Sequence, residues 1–462
     1  MWEMYHDIAS TPSLAFLPGL VFLEIPRQRC SSRLSRQPSL SMIISYRRFR
    51  RTYLRPTLLV LFFVFLIDAI RLVRYRPDTY RTKPSEAYQQ RYRDGVPVNT
   101  TIFIASIHRN TEEMLRSAWN QAVLDLADYY GPENIYFSAI ESGSQDESKA
   151  ALLELRESLD SKGVPNTISL GQTVWEQLEE IESRPPPNVR VPTWIWNMAE
   201  DQWEMRRIPY LARVRNRAME PLRELEGQGR TFDKVLWLND VVFDTEDVVT
   251  LLHTRNEKYA AACSMDYKNA PLYYDTFALR DDMGLKTISQ YWPWFQSPTS
   301  RAAAEKNVPV QVTSCWNGIV VFDAEPFYAK PPLQFRGIDD SLADFHLEGS
   351  ECCLIHADNY LTSEKGVWLN PNVRVGYSVD AYRRLRRNRF PSPLWTVIGA
   401  WVNRIKSGRI AIQTQLETRI VTKRLEQWKA ETPHGHSPRH EPGAACLINE
   451  MQIMWENGWK HL

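Results

Sequence analysis

Between Thr101 and Tyr377 the apolar residues follow two alternating rhythms. Short β-branched-rich runs recur at Thr101–Ile107 (TIFIASI), Ile135–Ile140 (IYFSAI), Thr167–Leu170, Val235–Leu238 (VLWL) and Tyr259–Tyr267 (YAAACSMDY), each of a length that suits a buried strand. Between them the apolar spacing changes to that of a helix. It does so over Asn110–Tyr130, over Glu147–Leu159, at Leu211, Val214 and Ala218 after Ile208, and at Val248, Leu251 and Leu252. Asn110 and Thr245 are the predicted N-caps of the first and last of these helices. Strands alternating with helices predict an α/β fold with a mainly parallel central sheet. The stretch ESRPPPNVRVPTWIWNMAEDQWEM reads as a proline-broken loop. VQVTSCWNGIVVFDAEPF, Val310–Phe327, reads as strand, turn and strand, with Asn317-Gly318 supplying the positive φ of a tight turn.

The central segment is KVLWLNDVVFDTEDVVTLLHTR, Lys234–Arg255. Its apolar run stops abruptly at Asn239-Asp240, which places a carboxylate at the carboxyl end of a buried strand. Open α/β sheets present groups to ligands at that edge. The competing reading is a strand-to-helix turn whose polar side chains satisfy only local backbone. Glu141-Ser142-Gly143-Ser144 also follows a strand, where backbone N–H groups can meet a nucleotide, although most Gly/Ser turns are only turns. Arg213, Arg215 and Arg217 are spread around one helix with Asn216 between them. Such arginines are usually solvated, and the alternative is that one or two meet a diphosphate. Trp316, beside the Asn-Gly turn, can stack on a sugar face. Ser350 can cap a short helix that carries Glu351, with His356 and Asp358 further along. A lone histidine is more often structural than a ligand.

Charge changes the picture only at the amino end. Over the whole chain 56 basic residues face 55 acidic ones, so no global field points to nucleic acid. Between Met1 and Pro56, however, nine arginines face Glu3, Asp7 and Glu24, and TLLVLFFVFLIDAIRLV follows at once. This pattern predicts a basic cytoplasmic tail (1–56), a single transmembrane anchor (57–73) and a polar stem (74–98). The body lies on the translocated side by the positive-inside rule. A buried core helix is the other reading of 57–73. Residues 99–380 form the predicted catalytic domain and 381–462 a helical, arginine-rich extension. Asn99-Thr100-Thr101 is a glycosylation acceptor on the translocated side. The six cysteines lack metal-site spacing. Disulfides and buried free thiols both remain open, and no connectivity follows from the sequence.

Nine pieces in order resemble the fungal capsule-associated α-1,3-mannosyltransferase family: IFIASIHRN, FSAIESGSQDES, YLARVRNRAMEPL, VLWLNDVVF with EDVVTLLHTR, ACSMDY, YYDTFALRDDMG, SCWNGIVVFDAEPF, SECCLIHADN and PNVRVGY. They cover residues 101 to 377 and leave both termini unmatched. The resemblance implies a GT-A-type nucleotide-sugar-binding fold, a GDP-mannose donor, a glycan acceptor, Mn2+ or Mg2+, and retention in forming an α-1,3 linkage. It also implies a type II membrane protein of the Golgi or endoplasmic reticulum. On that basis the donor-binding residues are Glu141, Ser142, Gly143, Ser144, Arg215, Asn216, Asn239, Asp240, Trp316, Asn317 and Gly318. Asp240 and His356 would hold the metal, and Glu351 and Asp340 would act near the acceptor. One departure stands out: the metal motif of this fold is Asp-x-Asp, and here it reads Asn239-Asp240-Val241. That departure supports an alternative, a catalytically idle scaffold in a glycan-synthesising complex. A glycoside hydrolase would need two flanking carboxylates, and no pair singles itself out.

Overall fold

The computed structural model describes residues 50–74, 100–386, 390–432, 437–456 and 458–462. The basic tail up to residue 49, most of the stem, the acceptor Asn99 and Cys30 lie outside the described residues. The chain divides into two compact units. In the first, helix α1 (Arg55–Arg74) continues a turn at Arg50–Leu54. Thr52–Arg74 is long and apolar enough to cross a membrane, and none of it is buried in protein. At 1.5 Å per residue its 23 residues span about 34 Å, enough for a hydrocarbon core. Its exposure removes the core-helix reading.

The second unit is built on a ten-stranded sheet. Its strands are β1 (Ile102–His108), β2 (Ile135–Glu141), β3 (Asn166–Leu170), β4 (Lys234–Leu238), β5 (Ala261–Asn269), β6 (Leu272–Tyr273), β7 (Arg280–Asp281), β8 (Val310–Ser314), β9 (Ile319–Asp323) and β10 (Val367–Gly376). The order is β3-β2-β1-β4-β9-β5-β10-β8-β7, with β6 paired to β5. Strands β3, β2, β1 and β4 are mutually parallel, as are β5 and β10, while β9 runs antiparallel between β4 and β5. Six long strands therefore point the same way and end on one edge. This is the mainly parallel sheet expected of a GT-A-type fold.

The period of two along β4 sorts its residues between the faces. Leu236 and Leu238 join the core beneath α2 (Asn120–Tyr130), α3 (Ser148–Ser161) and the helix after β4, whereas Trp237 faces α4 (Arg207–Ala218). The helix after β4 is α5 (Thr245–Leu252), and its cap is Asp244 rather than Thr245. Asp244 Oδ1 accepts from Asp247 N (2.9 Å) and Asp247 Oδ2 accepts from Asp244 N (3.2 Å), a reciprocal box of two acids. Asn110 does not cap the first helix either. It sits at φ 53° outside the helical segment, and its Oδ1 accepts from Gln145 N. The proline-broken stretch ends in a hairpin, Trp194–Asn197 paired with Gln202–Met205.

The helical C-terminal extension packs on the body of this unit. Helix α6 (Glu351–Asp358) is followed by α7 (Pro393–Ala430), whose Val421, Leu425 and Trp428 pack with Ile338, Leu342, Leu354 and Ile453. Leu447–Ile448 pairs with Glu348–Gly349, and Cys446 is bonded to Cys353. A second disulfide, Cys263–Cys315, joins β5 to the turn after β8, and Cys352 is a buried free thiol.

Candidate active site

At the carboxyl edge of the sheet, the end of β4 meets the turn before β9. Asn239 N donates to Gly318 O (3.0 Å). The Asn239 carbonyl accepts from the Trp119 indole (3.0 Å) and its Oδ1 from the Trp316 indole (3.1 Å). The turn has the predicted backbone, with φ of 36° at Asn317 and 91° at Gly318. A Cβ at Gly318 would lie 2.5 Å from Val375 Cγ2, so glycine is required for shape as well as for φ. Ser264 of β5 donates to the Asn317 carbonyl and accepts from Ile319 N, pinning the turn to the neighbouring strand.

Three carboxylates gather here. Asp240 is half-buried at the end of β4, and Asp266 is fully buried on β5. Asp266 accepts from Asn317 Nδ2 (2.9 Å), Tyr377 OH (3.0 Å) and Asp275 N (3.2 Å). Burial and then the charge of Asp275 push the Asp266 carboxyl up to about 6, against the pull of those hydrogen bonds. The Tyr377 phenol is raised well above its ordinary value by burial, with the charges of Asp266, Asp240 and Asp275 adding to it. Sequence reading missed Asp275 and Tyr377 as site residues. The available signal was that Asp266, like Asp240, ends an apolar strand run.

Arg215 is buried on the inner face of α4. Its guanidinium lies over the rings of Trp316 (4.6 Å), Trp237 (5.4 Å) and Phe335 (5.7 Å), and Nε donates to Glu351 Oε1 (3.1 Å). Burial opposes its charge, but the Cys352 sulfur, Glu351 and Asp275 hold its pKa above the ordinary value. Its Nη1 is buried with no hydrogen-bond partner among the described residues, a donor left over after the protein's own contacts. Of Arg213, Arg215 and Arg217, Arg215 is the one turned inward; Arg213 and Arg217 are exposed.

The loops after β1 and β2 are laced together. Ser144 N donates to Glu141 Oε1 (2.6 Å), Asn110 N to Ser144 Oγ (3.0 Å) and Gly143 N to Gln172 O (2.9 Å). Ser142 Oγ lies 3.1 Å from the Tyr210 hydroxyl, which also accepts from Gln177 Nε2 (3.0 Å). Beside them Arg109 has its pKa lowered by burial, while Tyr210 and Glu141 counter the shift. Glu141 itself is fully buried beside Lys149 and shapes the turn rather than facing a ligand. Arg109 was not singled out from the sequence, although it directly follows β1.

Besides Glu141, four sequence-derived assignments need correction. His356 is fully buried, with Nε2 donating to the Cys315 carbonyl (2.7 Å) and the ring stacked on Phe322. Its ligand-forming neighbours are Cys263 and Cys315, whose sulfurs are bonded to each other, so it is a core histidine and not a metal ligand. Asp340 is not an acceptor-side acid: Oδ1 pairs with Arg206 (2.6 Å) and Oδ2 accepts from Thr193 N (2.9 Å). Asn216 holds the backbone of Phe335 through both of its side-chain ends (2.8 and 2.9 Å), so it supports the box around Arg215. Trp316 is buried against Arg215, Trp237 and Phe335 and has no face open to a sugar. A cavity of 640 Å³ lies at the opposite edge, around Lys234, Asp323 and Tyr328, and includes none of these residues.

For a divalent cation, the remaining oxygen donors are chemically suitable. Asp240 is half-exposed, and Asp275 commits Oδ1 to Phe277 N and Ala278 N. Hard cations take such carboxylates together with phosphate oxygens and water.

The mannosyltransferase PcManGT from Pyrobaculum calidifontis, solved with GDP-Man and Mn2+, resembles the chain at a TM-score of 0.33 and 10% identity, over 80% of this chain and 84% of that one. GalNAc-T7, solved with UDP, GalNAc and Mn2+, does so at 0.32 and 12%, over 60% and 42%. The α-1,3-mannosyltransferase CMT1 of Cryptococcus neoformans var. neoformans serotype D is 27% identical over 288 residues, 59% of this chain. The chain matches 56% of the length of that relative. The sequence model described as Cryptococcal mannosyltransferase 1 matches residues 101–358, which contain β1 to β9, the carboxyl-edge turn, Arg215 and Glu351. With more than half of its length matched, the chain belongs to the Cryptococcal mannosyltransferase 1 family.

Proposed function

We propose that the chain transfers mannose from GDP-mannose to a glycan hydroxyl, forming an α-1,3 linkage with retention and with the help of Mn2+ or Mg2+. The observation that carries the reading is the convergence of Asp240, Asp275 and the spare donor of Arg215 at the carboxyl edge, where this class of sheet receives nucleotides. Asp240, with Asp275 beside it, would hold the cation, whose charge would offset that of the diphosphate. Arg215, kept charged by Glu351 and oriented by three rings, aims a preorganised donor at negative charge growing on the leaving group. The β1 and β2 loops, with Arg109 and Ser142, would meet the nucleoside. The gathering of the acids on one edge favours departure and attack on the same face of the sugar. Glu351 then acts through Arg215 as a positioning residue and not as a nucleophile.

The full chain, solubilised in detergent, tests this with a panel of nucleotide sugars, with and without Mn2+. Mannose transfer confined to GDP-mannose and an α product by NMR are expected. A β product would reject retention, and a mannosyl adduct by intact mass would replace the same-face route with a double displacement. If neither donor hydrolysis nor transfer occurred with any donor or metal, the idle-scaffold reading would take its place. The anchor α1 behind a basic tail supports a type II protein with its body in the lumen of the Golgi or endoplasmic reticulum. In intact microsomes, protease should then spare the chain after residue 101.

A further inference from the structure

Helix α7 has two unlike sides. Thr396, Gly399, Ala400, Asn403, Val421, Leu425 and Trp428 are buried against the body. On the outer side Leu394, Ile405, Ile412, Leu416 and Ile420 are 67, 76, 62, 54 and 40% exposed. Ile405, Ile412, Leu416 and Ile420 are spaced seven, four and four residues apart, which places them in one stripe. From Leu394 to Ile420 that stripe is about 39 Å long. An exposed apolar strip of this length is unusual on a soluble surface and marks an interaction site.

Charge identifies the partner. Residues 393–425 contain six basic side chains and one acid, Glu417, which is paired with Lys286 (2.7 Å). Arg409 falls within the stripe and Lys423 in line with it just past Ile420, Arg419 borders it near Leu416, and Lys406 adjoins Ile405; all four are exposed. A second copy of this chain would bring like charges together across an apolar seam, whereas the cores of protein interfaces are depleted in charge. A lipid surface suits both features: apolar side chains enter the acyl boundary while lysine and arginine stems lift their charges to anionic headgroups. The 25 residues between α1 and Thr100 can separate the body from the anchor by at most about 85 Å, so a bilayer is always within reach.

We propose that the outer face of α7 lies on the membrane surface and binds anionic lipid headgroups, holding the body against the bilayer independently of the spanning helix. The test uses the full chain in nanodiscs, with Cys30→Ser to remove the tail thiol and a fluorophore at Ile412→Cys or, as a control off the stripe, at Thr418→Cys. With phosphatidylserine present, iodide quenching at 412 should be about threefold weaker than at 418, and lipid-borne quenchers should act on 412 alone. The combined variant Lys406→Glu, Arg409→Glu, Arg419→Glu, Lys423→Glu, with its melt unchanged, should return the 412 label to the quenching of 418. Equal quenching at the two positions would overturn the proposal. So would protection of 412 that persists in detergent and grows with protein concentration, because a second copy would then be the occupant.

Discussion

Arg215 and Glu351 form a nearly water-free ion pair beside the proposed diphosphate, with side chains 9% and 3% exposed. Their energetics can be separated by a double-mutant cycle. Glu351→Gln keeps an oxygen for Arg215 Nε and loses only the charge, so the guanidinium stays enclosed by Trp237, Trp316 and Phe335 without its counter-ion. The expected loss is about 2–3 kcal/mol, the scale of a hydrogen bond to a charged group. Arg215→Met leaves a buried carboxylate unpaired and should cost about 3–5 kcal/mol. Combining Glu351→Gln with Arg215→Met removes both buried charges and their desolvation penalties along with the attraction, and should cost no more than about 2 kcal/mol relative to the parent. For a body of about 360 residues, 3 kcal/mol corresponds to a melting shift of about 4 °C, readable by scanning fluorimetry. Transfer should slow in Glu351→Gln, where Arg215 keeps a hydrogen bond but loses its counter-ion, and should be lost in the two variants that lack Arg215. A double variant as unstable as the sum of the single ones would refute the coupling. One that regained stability and also transferred mannose would refute the role given to Arg215.

Asp240→Asn should abolish mannose transfer while moving the melt by less than about 2 °C, since a half-exposed strand-end side chain contributes little packing. Near-normal turnover of this variant at saturating Mn2+ would remove Asp240 as the cation's ligand. His356 gives the pH dependence. Burial lowers its pKa from 6.5 to about 4, partly offset by the Cys315 carbonyl, so the folded chain keeps it neutral where the unfolded chain protonates it. Its stabilising contribution is therefore present above pH 6.5 and is lost as pH falls toward 4. Between pH 6.5 and 5 the parent should lose about 2 kcal/mol that His356→Gln does not lose. Equal slopes of stability against pH for the two proteins would refute this assignment.

The strands and the edge on which they end were legible because the buried strands are short, mostly apolar and β-branched-rich runs. A run such as Val235–Leu238 has few alternatives to a central strand, and the polar pair that stops it marks the edge. The positive-φ turn at Asn317-Gly318 was legible for a similar reason, since few residues other than glycine tolerate that backbone. The partners of the polar side chains were not legible. Asn216 and Asp340 have the composition of ligand-binding residues, yet they spend their hydrogen bonds on Phe335, Thr193 and Arg206, contacts 119, 147 and 134 residues away in sequence. His356 was misread because its distance from the edge depends on how α6 packs across β8, which no local pattern encodes. Even the caps shifted by one residue: at the start of α5 Asp244 and Thr245 are adjacent, and the box forms with the acid whose spacing to Asp247 allows both bonds.

The asparagine that stands in place of the first acid of Asp-x-Asp has a physical reading once the edge is assembled. Asn239 binds two indole N–H groups, one through its backbone carbonyl and one through Oδ1, and so locks Trp119 and Trp316 on either side of β4. Trp316 in turn forms one wall of the box that holds Arg215. A carboxylate at 239 could accept the same bonds, but it would add a fourth negative charge beside Asp240, Asp266 and Asp275. The last two already repel each other enough to help raise the Asp266 carboxyl to about 6. In this chain strand β5, one strand beyond β9, carries through Asp266 and the loop it anchors negative charge that the motif elsewhere concentrates at one turn. Asn239 is thereby free to act as a neutral brace. The departure from Asp-x-Asp thus leaves the edge rich in acids, and gives no ground by itself for treating the chain as inactive.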